Sequence, residues 1–227
     1  MAHPTVTQSN HLIEASYRLT LGEQRLLLSC IAQLDPRKPM PRRRLTVYAD
    51  DFARTYGLAS HKAYEQLREA TDRLYDRDLR VHDGKAKERY RWVDHVKYHD
   101  GEGYVAISFT QWVAPYLTLL NRQFTSYRLQ SVSCLRSTYA VRLYQMLIQY
   151  RSVGERKIDV ETLRERLELG DKYERFSNLK ARVLKPALRE LNEKSNLAVD
   201  WRAEREGRRV NSLTFTFVER PQLALDL

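Results

Sequence analysis

One order of elements, read twice along the chain, limits the fold more than any other feature. In the first half, Thr20 and Glu23 have the spacing of a capping box, and the apolar run Leu26, Leu27, Leu28, Ile31 and Leu34 marks the helix behind it. Three prolines and a basic cluster over 35–44 mark a loop. Arg44 to Tyr48 alternates as a short strand. Asp50 opens a short helix with Phe52, Ala53 and Tyr56, and Gly57 stops it. Ser60 is placed to cap a longer helix with Ala63, Leu67, Ala70 and Leu74 on one face. Strands follow over 79–82, 90–98 and 104–109, the first of them ending in the basic turn HDGKAKER.

The second half repeats this order. A helix runs from Ser137 to Tyr150, then a strand at 157–159, a short helix capped by Asp159, a turn at Gly170 and a long helix over 175–194. Strands at 197–202 and 210–218 close the set around the turn EREGRR. The offset is roughly 115 residues. Gln24-Arg25-Leu26 aligns with Val141-Arg142-Leu143, Leu45 with Ile158, Phe52 with Leu163 and Leu67 with Val183. This is the order of a helix-turn-helix followed by a β-hairpin wing. The expected fold class is α+β: two tandem winged-helix domains forming a pseudo-repeat, over 1–120 and 121–220, with a tail over 221–227. Residues 1–10 are polar and are expected to fray.

The long helix carries the clearest functional signal. At about 100° per residue, Phe176, Leu179, Val183, Ala187 and Leu191 share one side, with Leu184 and Leu188 beside them. Asn178, Arg182, Lys185 and Arg189 lie opposite, and Lys180 is a further basic position. A solvated face ordinarily mixes Glu with Lys; here acids occur only at Glu190 and Glu193. Such a face suits the major groove, where Asn pairs with adenine and Arg forks onto guanine. Lys185 and Arg189 are assigned to phosphates. Pro186 removes the bond to the Arg182 carbonyl and is expected to kink the helix or end its first half. Arg202, Arg205, Arg208 and Arg209 cluster about Gly207 in the wing, where they suit phosphate or minor-groove contact. In the first half, His61, Lys62 and Arg68 are the candidate contacts, mixed with Glu65, Glu69 and Asp72, and Lys85, Lys87 and Arg89 are the wing cations. Dimerisation is the alternative role for that half.

The formal charge of +10, from 39 Lys and Arg against 29 Asp and Glu, points to an anionic partner. Nucleic acid is the first choice, an acidic membrane surface the second, and a merely soluble basic protein the alternative. Cys30 and Cys134 have no C-x-x-C partner, so neither a disulfide framework nor a zinc site is expected, and a reducing cytoplasm is the expected location. No run approaches about 20 apolar residues, so no membrane span is expected. No catalytic residues, metal or cofactor are expected. His95 and His99 are four apart on a strand, about 13 Å, too far to share one ion. This argues against a metal-assisted tyrosine nickase of the rolling-circle type. There is no Walker A loop, so ATP binding is not expected.

Three stretches, NHLIEASYRLTLGEQRLLL (10–28), STYAVRLYQMLIQY (137–150) and FSNLKARVLKPALRELNEKS (176–195), resemble the iteron-binding initiators of plasmid replication, a family with two winged-helix domains. The resemblance spans nearly the whole chain. It implies binding of directly repeated duplex sites at a plasmid origin, without enzymatic activity, by monomers that host chaperones can release. It further implies melting of adjacent DNA with the host initiator, helicase loading, and repression of the chain's own gene by a dimer at an inverted-repeat operator. A winged-helix repressor without a replication role is the rival reading. Leu12, Leu19 and Leu26 have the heptad spacing noted in this family, but they read as core because Thr20 caps a helix in their midst. Gln222, Leu223, Leu225 and Leu227 follow Pro221 and resemble the short peptide that docks in the bacterial sliding clamp.

Overall fold

The structure, a computed structural model, describes residues 4–41, 44–83 and 86–220, except for the side chains from 82 to 87. The tail over 221–227 and Lys85 lie outside the described residues, as does the side chain of Lys87. The chain divides into two compact units. The first runs to Ala15 and then over Leu19–Cys134; the second comprises Ser16–Arg18 and the chain from Leu135 onward.

The elements of the first unit are β1 (Thr5–Ser9), α1 (Asn10–Glu14), α2 (Leu21–Ile31), β2 (Leu45–Tyr48), α3 (Ala49–Tyr56), α4 (Ser60–Tyr75), β3 (Asp78–Asp83), β4 (Ala86–Arg91), β5 (Val93–His99), β6 (Tyr104–Phe109), β7 (Phe124–Arg128) and α5 (Gln130–Ser133). The capping box forms as expected: Thr20 Oγ1 accepts from Glu23 N–H, and the Glu23 carboxylate accepts from Thr20 N–H. Glu23 is fully buried and also receives Arg77 Nε at 3.0 Å, so one carboxylate satisfies the helix start and a distant arginine. Gly57 ends α3 at φ 58°, the left-handed stop the sequence indicated. The cap of α4 differs: Ala59 is its N-cap, Ser60 is the first helical residue, and no side chain bonds the free N–H groups.

Two corrections concern the edges of this unit. Thr5–Ser9 do not fray; β1 pairs antiparallel with β7, and Val6, Gln8 and Ser9 are buried. The polar composition misled because polar side chains on a paired strand can be satisfied internally: Thr7 meets Ser126 at 2.8 Å. That same pairing carries 121–134 into the first unit, so the division falls at Cys134/Leu135 rather than at 120/121. Leu12, Leu19 and Leu26 are buried in α1, the following loop and α2, and form no continuous helix.

The elements of the second unit are α6 (Thr138–Ile148), β8 (Glu155–Asp159), α7 (Val160–Arg166), α8 (Phe176–Leu179), α9 (Lys185–Lys194), β9 (Leu197–Glu206) and β10 (Arg209–Glu219). Its sheet order is β8-β10-β9, and the first unit has β2-β6-β5. These two sheets correspond: in each, the strand before the helix-turn-helix pairs with the last strand of the hairpin. Leu45 and Ile158, aligned in the sequence, are both buried in these corresponding strands. The hairpin β3–β4 is therefore an addition to the first unit, and its topological wing is β5–β6. The strand expected over 90–98 is broken at Trp92, whose side chain is fully buried.

Three buried arginines belong to the core. Arg25 lies 5.0 Å over the Tyr56 ring, Arg142 lies 4.0 Å over Tyr17, and Arg156 lies 4.8 Å over Tyr150. Arg142 also donates to Gln145 and to the Arg166 carbonyl, and Arg156 donates to the Met146 carbonyl at 2.7 Å. Arg25 and Arg142 are the pair aligned by the repeat, so the two units share a buried guanidinium on the first helix of the motif. Part of the net positive charge is thus structural.

One contact sets α9 against α6. Ser137 Oγ caps α6 by accepting from Ala140 N–H, and the Glu190 carboxylate accepts from the N–H groups of Arg136 at 2.7 Å and Ser137 at 3.0 Å. Glu190→Ala is expected to cost about 0.5–2 kcal/mol, seen as a lower urea midpoint with an unchanged m value. An unchanged midpoint would contradict this role.

Candidate nucleic-acid interface

The helix over 176–194 is continuous, but not uniform. Between α8 and α9 lies a π-helical segment, Lys180–Leu184, in which Lys185 N–H bonds to the Lys180 carbonyl five residues back. Pro186 follows at once, in the first turn of α9. The wider turn absorbs the missing N–H and the ring, so the proline neither ends the helix nor divides it. The apolar side forms as expected: Leu179, Val183, Leu184, Ala187, Leu188 and Leu191 are buried, and Phe176 is half-buried.

The segment leading into this helix is held by one guanidinium. Glu168, Gly170 and Tyr173 take φ of 46°, 54° and 59°. The two non-glycine residues each cost roughly 1–2 kcal/mol in that region. Arg164 donates to the carbonyls of Gly170 at 2.6 Å, Lys172 at 2.9 Å and Tyr173 at 2.7 Å, offsetting that strain and directing the chain into α8. The short helix α7 starts at Asp159 as expected, although the Asp159 side chain makes no capping bond.

From 175 to 189 the exposed residues are Arg175, Ser177, Asn178, Ala181, Arg182, Lys185, Pro186 and Arg189. No carboxylate is among them. The four positions named from the sequence share this face, and Arg175, Ser177 and Ala181 join it. The small pair Ser177 and Ala181, next to Asn178 and Arg182, leaves room for the helix surface to approach a partner closely. Periodicity could have found these, since 177, 181 and 185 repeat every four residues, but they carry little charge to draw notice. Lys180 turns away from this stripe, 5.5 Å over the ring of Trp201 on β9.

The wing of the second unit is the hairpin β9–β10, turning at Gly207 with φ 61°. Arg202 lies 3.9 Å from Glu155 and from Glu204, and Arg209 lies 2.7 Å from Glu161. Arg205 and Arg208, at the tip, are exposed and make no ion pair among the described residues. Exposed ion pairs contribute little, about 0–1 kcal/mol, and yield readily to a phosphate.

The first unit presents a different surface. His61 and Lys62 are exposed at the start of α4. Arg68 is engaged: it lies 3.4 Å from Asp100 and 5.4 Å over the Tyr98 ring. Asp100 also accepts from Tyr64 Oη at 2.8 Å. The topological wing therefore ends in an acidic tip, HDGEG over 99–103, folded onto α4. Arg89, on the added hairpin, is paired with Asp78.

The family model described as Initiator Replication protein, WH1 matches residues 5–148, and the one described as Initiator Rep protein, WH2 matches residues 159–217. The chain belongs to the initiator replication protein family. Both of its winged-helix domains are present in this initiator. The Replication initiation protein of Escherichia coli is 26% identical over 227 residues, covering 95% of this chain and 70% of that protein. The PI protein of Escherichia coli is 26% identical over 250 residues, covering 94% of this chain and 82% of that protein. A crystal structure of the Pi initiator protein in complex with iteron DNA matches with a TM-score of 0.85 at 25% identity, covering 97% of this chain and 99% of that one. Among the described residues of the initiator, no helix is long and apolar enough to cross a membrane, and no group of three or more His, Cys, Asp or Glu could hold a metal ion.

One wing carboxylate is structural. Glu204 receives Lys157 Nζ at 2.5 Å, Thr214 Oγ1 at 2.7 Å and Ser212 Oγ at 3.2 Å, and the Lys157 bond is the main reason its pKa is lowered to about 2. A depressed carboxylate contributes stability above its ordinary pKa and loses it as pH falls through the folded value. The expected outcome is a loss of stability between about pH 4.5 and 2. Urea titrations across this range should show a shallower pH slope in Glu204→Gln; identical slopes would contradict the assignment.

Proposed function

We propose that this initiator recognises directly repeated duplex sites at a plasmid origin, with the second unit as the principal reader. The observation that carries this reading is the exposed side of the helix over 175–189, which holds no carboxylate. Asn178 and Arg182 address base edges, and Lys185 and Arg189 address phosphates. Arg202, Arg205, Arg208 and Arg209 line the flanking backbone or minor groove from the wing. Lys180 acts on phosphates only if it leaves Trp201. The similarity to a Pi initiator protein solved with iteron DNA supports this choice of partner.

The first unit has an auxiliary role, dimerisation together with backbone contacts from His61, Lys62, Lys85 and Lys87. Arg68 contributes less than the sequence suggested, because it lies against the Tyr98 ring and next to Asp100, whose carboxylate disfavours an approaching phosphate. The role as a whole is binding rather than catalysis. The monomer acts in replication with host initiator, helicase and chaperones, and the dimer represses its own gene at an inverted repeat. Gln222, Leu223, Leu225 and Leu227 form a docking peptide for the sliding clamp, and deleting 221–227 is expected to abolish clamp capture in a pull-down.

Selection from a random duplex pool identifies the site, and binding to the selected site tests the reader. Arg182→Ala is expected to cost about 1–3 kcal/mol and to relax one base preference. An equal loss on all sequences would make Arg182 a phosphate contact instead. If about eight phosphates are neutralised, log K falls against log salt with a slope near −7. A plasmid carrying the gene with its upstream DNA replicates if the chain is an initiator at that site, and fails if it is only a repressor.

A further inference from the structure

The outer face of the β2-β6-β5 sheet carries chemistry that duplex recognition does not use. Antiparallel pairing sets its side chains in three cross-strand rows. One row is Tyr48, Tyr104 and His99, the next is Thr46, Ala106 and Lys97, and His95 opposite Ser108 continues the face, with Arg44 just before β2. The central column, Tyr104, Ala106 and Ser108, is small at two of its three positions. The result is a trough of about 590 Å3, walled by Arg44, His95 and Lys97 and ended by Tyr104 and His99, with Tyr48 beyond them in the same row.

The trough has two distinct ends. At the aromatic end, His99 and Tyr104 stack with ring centroids 4.2 Å apart, and Tyr48 lies 5.2 Å from Tyr104 and is half exposed. At the other, Arg44 Nε donates to His95 Nδ1 at 3.0 Å, which holds the guanidinium at this end of the trough. None of the residues lining the trough is a carboxylate. Glu102, 3.8 Å from His99 Nδ1, stands at the aromatic rim. A solvated sheet face normally alternates charges of both signs; this one offers cations, hydroxyls and flat rings.

We propose that this trough binds a free nucleoside polyphosphate, with the base on the Tyr48–Tyr104–His99 row and the phosphates running over Lys97 towards Arg44 and His95. The length argues for one nucleotide. The three rows span roughly 13 Å along a strand, the reach of a base with its phosphate chain. A single-stranded tract needs a site of about four nucleotides or more and would outrun the trough. The site lacks the Gly-rich loop whose absence argued against ATP, and uses a sheet face instead.

The test is titration of the full chain with adenosine triphosphate by calorimetry, beside inorganic triphosphate and a twelve-residue thymidine oligonucleotide. Saturable binding of adenosine triphosphate is expected, with inorganic triphosphate weaker for want of a base. Lys97→Gln and Arg44→Gln are each expected to weaken it about tenfold, since each removes a charge-assisted contact. Both side chains are exposed and outside the duplex-reading face, so far-ultraviolet circular dichroism and duplex binding should be unchanged. No binding, tighter binding of the oligonucleotide, equal binding of inorganic triphosphate, or full affinity in both variants would each overturn the proposal. Duplex binding is read separately in the same variants, so failure here leaves the proposed function standing.

Discussion

Burial of one apolar stripe decides what this chain can show to a partner. Leu179, Val183, Leu184, Ala187, Leu188 and Leu191 are withdrawn from water along one side of a single helix. Full burial of a Leu or Val side chain stabilises by about 1.5–3 kcal/mol. The helix therefore cannot rotate without exposing them, and Asn178, Arg182, Lys185 and Arg189 are held outward by what lies behind them. The Glu190 carboxylate on the α6 N-terminus and the Arg164 guanidinium on three loop carbonyls fix the two ends of the same arrangement.

The π-helical turn before Pro186 fits this picture. A proline in an α-helix removes a bond and crowds the preceding turn. Here the extra residue per turn takes up both effects, so the apolar stripe continues from Val183 to Ala187 and Leu191 without losing its side. The basic face runs across the proline for the same reason. Continuity of charge over 178–189 is thus a consequence of backbone geometry as well as of composition.

Much of the second unit was legible in the sequence. The capping residue Ser137, the turn at Gly170, the apolar periodicity of 179–191 and the hairpin about Gly207 each declare themselves through short-range chemistry, and each stands where it was read. The exposed positions of the helix face followed from the same periodicity. The first unit was harder because its distinguishing features are long-range. Nothing local in Thr5–Ser9 reveals a partner strand at Phe124–Arg128. Nothing local in HDGKAKER distinguishes an added hairpin from the wing; only the order β2-β6-β5 does. Nothing local to Arg68 reveals Asp100, 32 positions away, which meets its guanidinium. Arg25, Arg142 and Arg156 add to the formal charge although they are core residues under tyrosine rings.

The duplex-reading account rests on a geometric relation, and a crystal structure of the chain with a selected duplex measures it directly. The account requires the exposed side of the 176–194 helix to lie in the major groove, with Arg182 within hydrogen-bonding distance of a base edge and Arg189 beside a phosphate. A complex in which that side faces solvent, while the duplex is gripped by other surfaces, would contradict it.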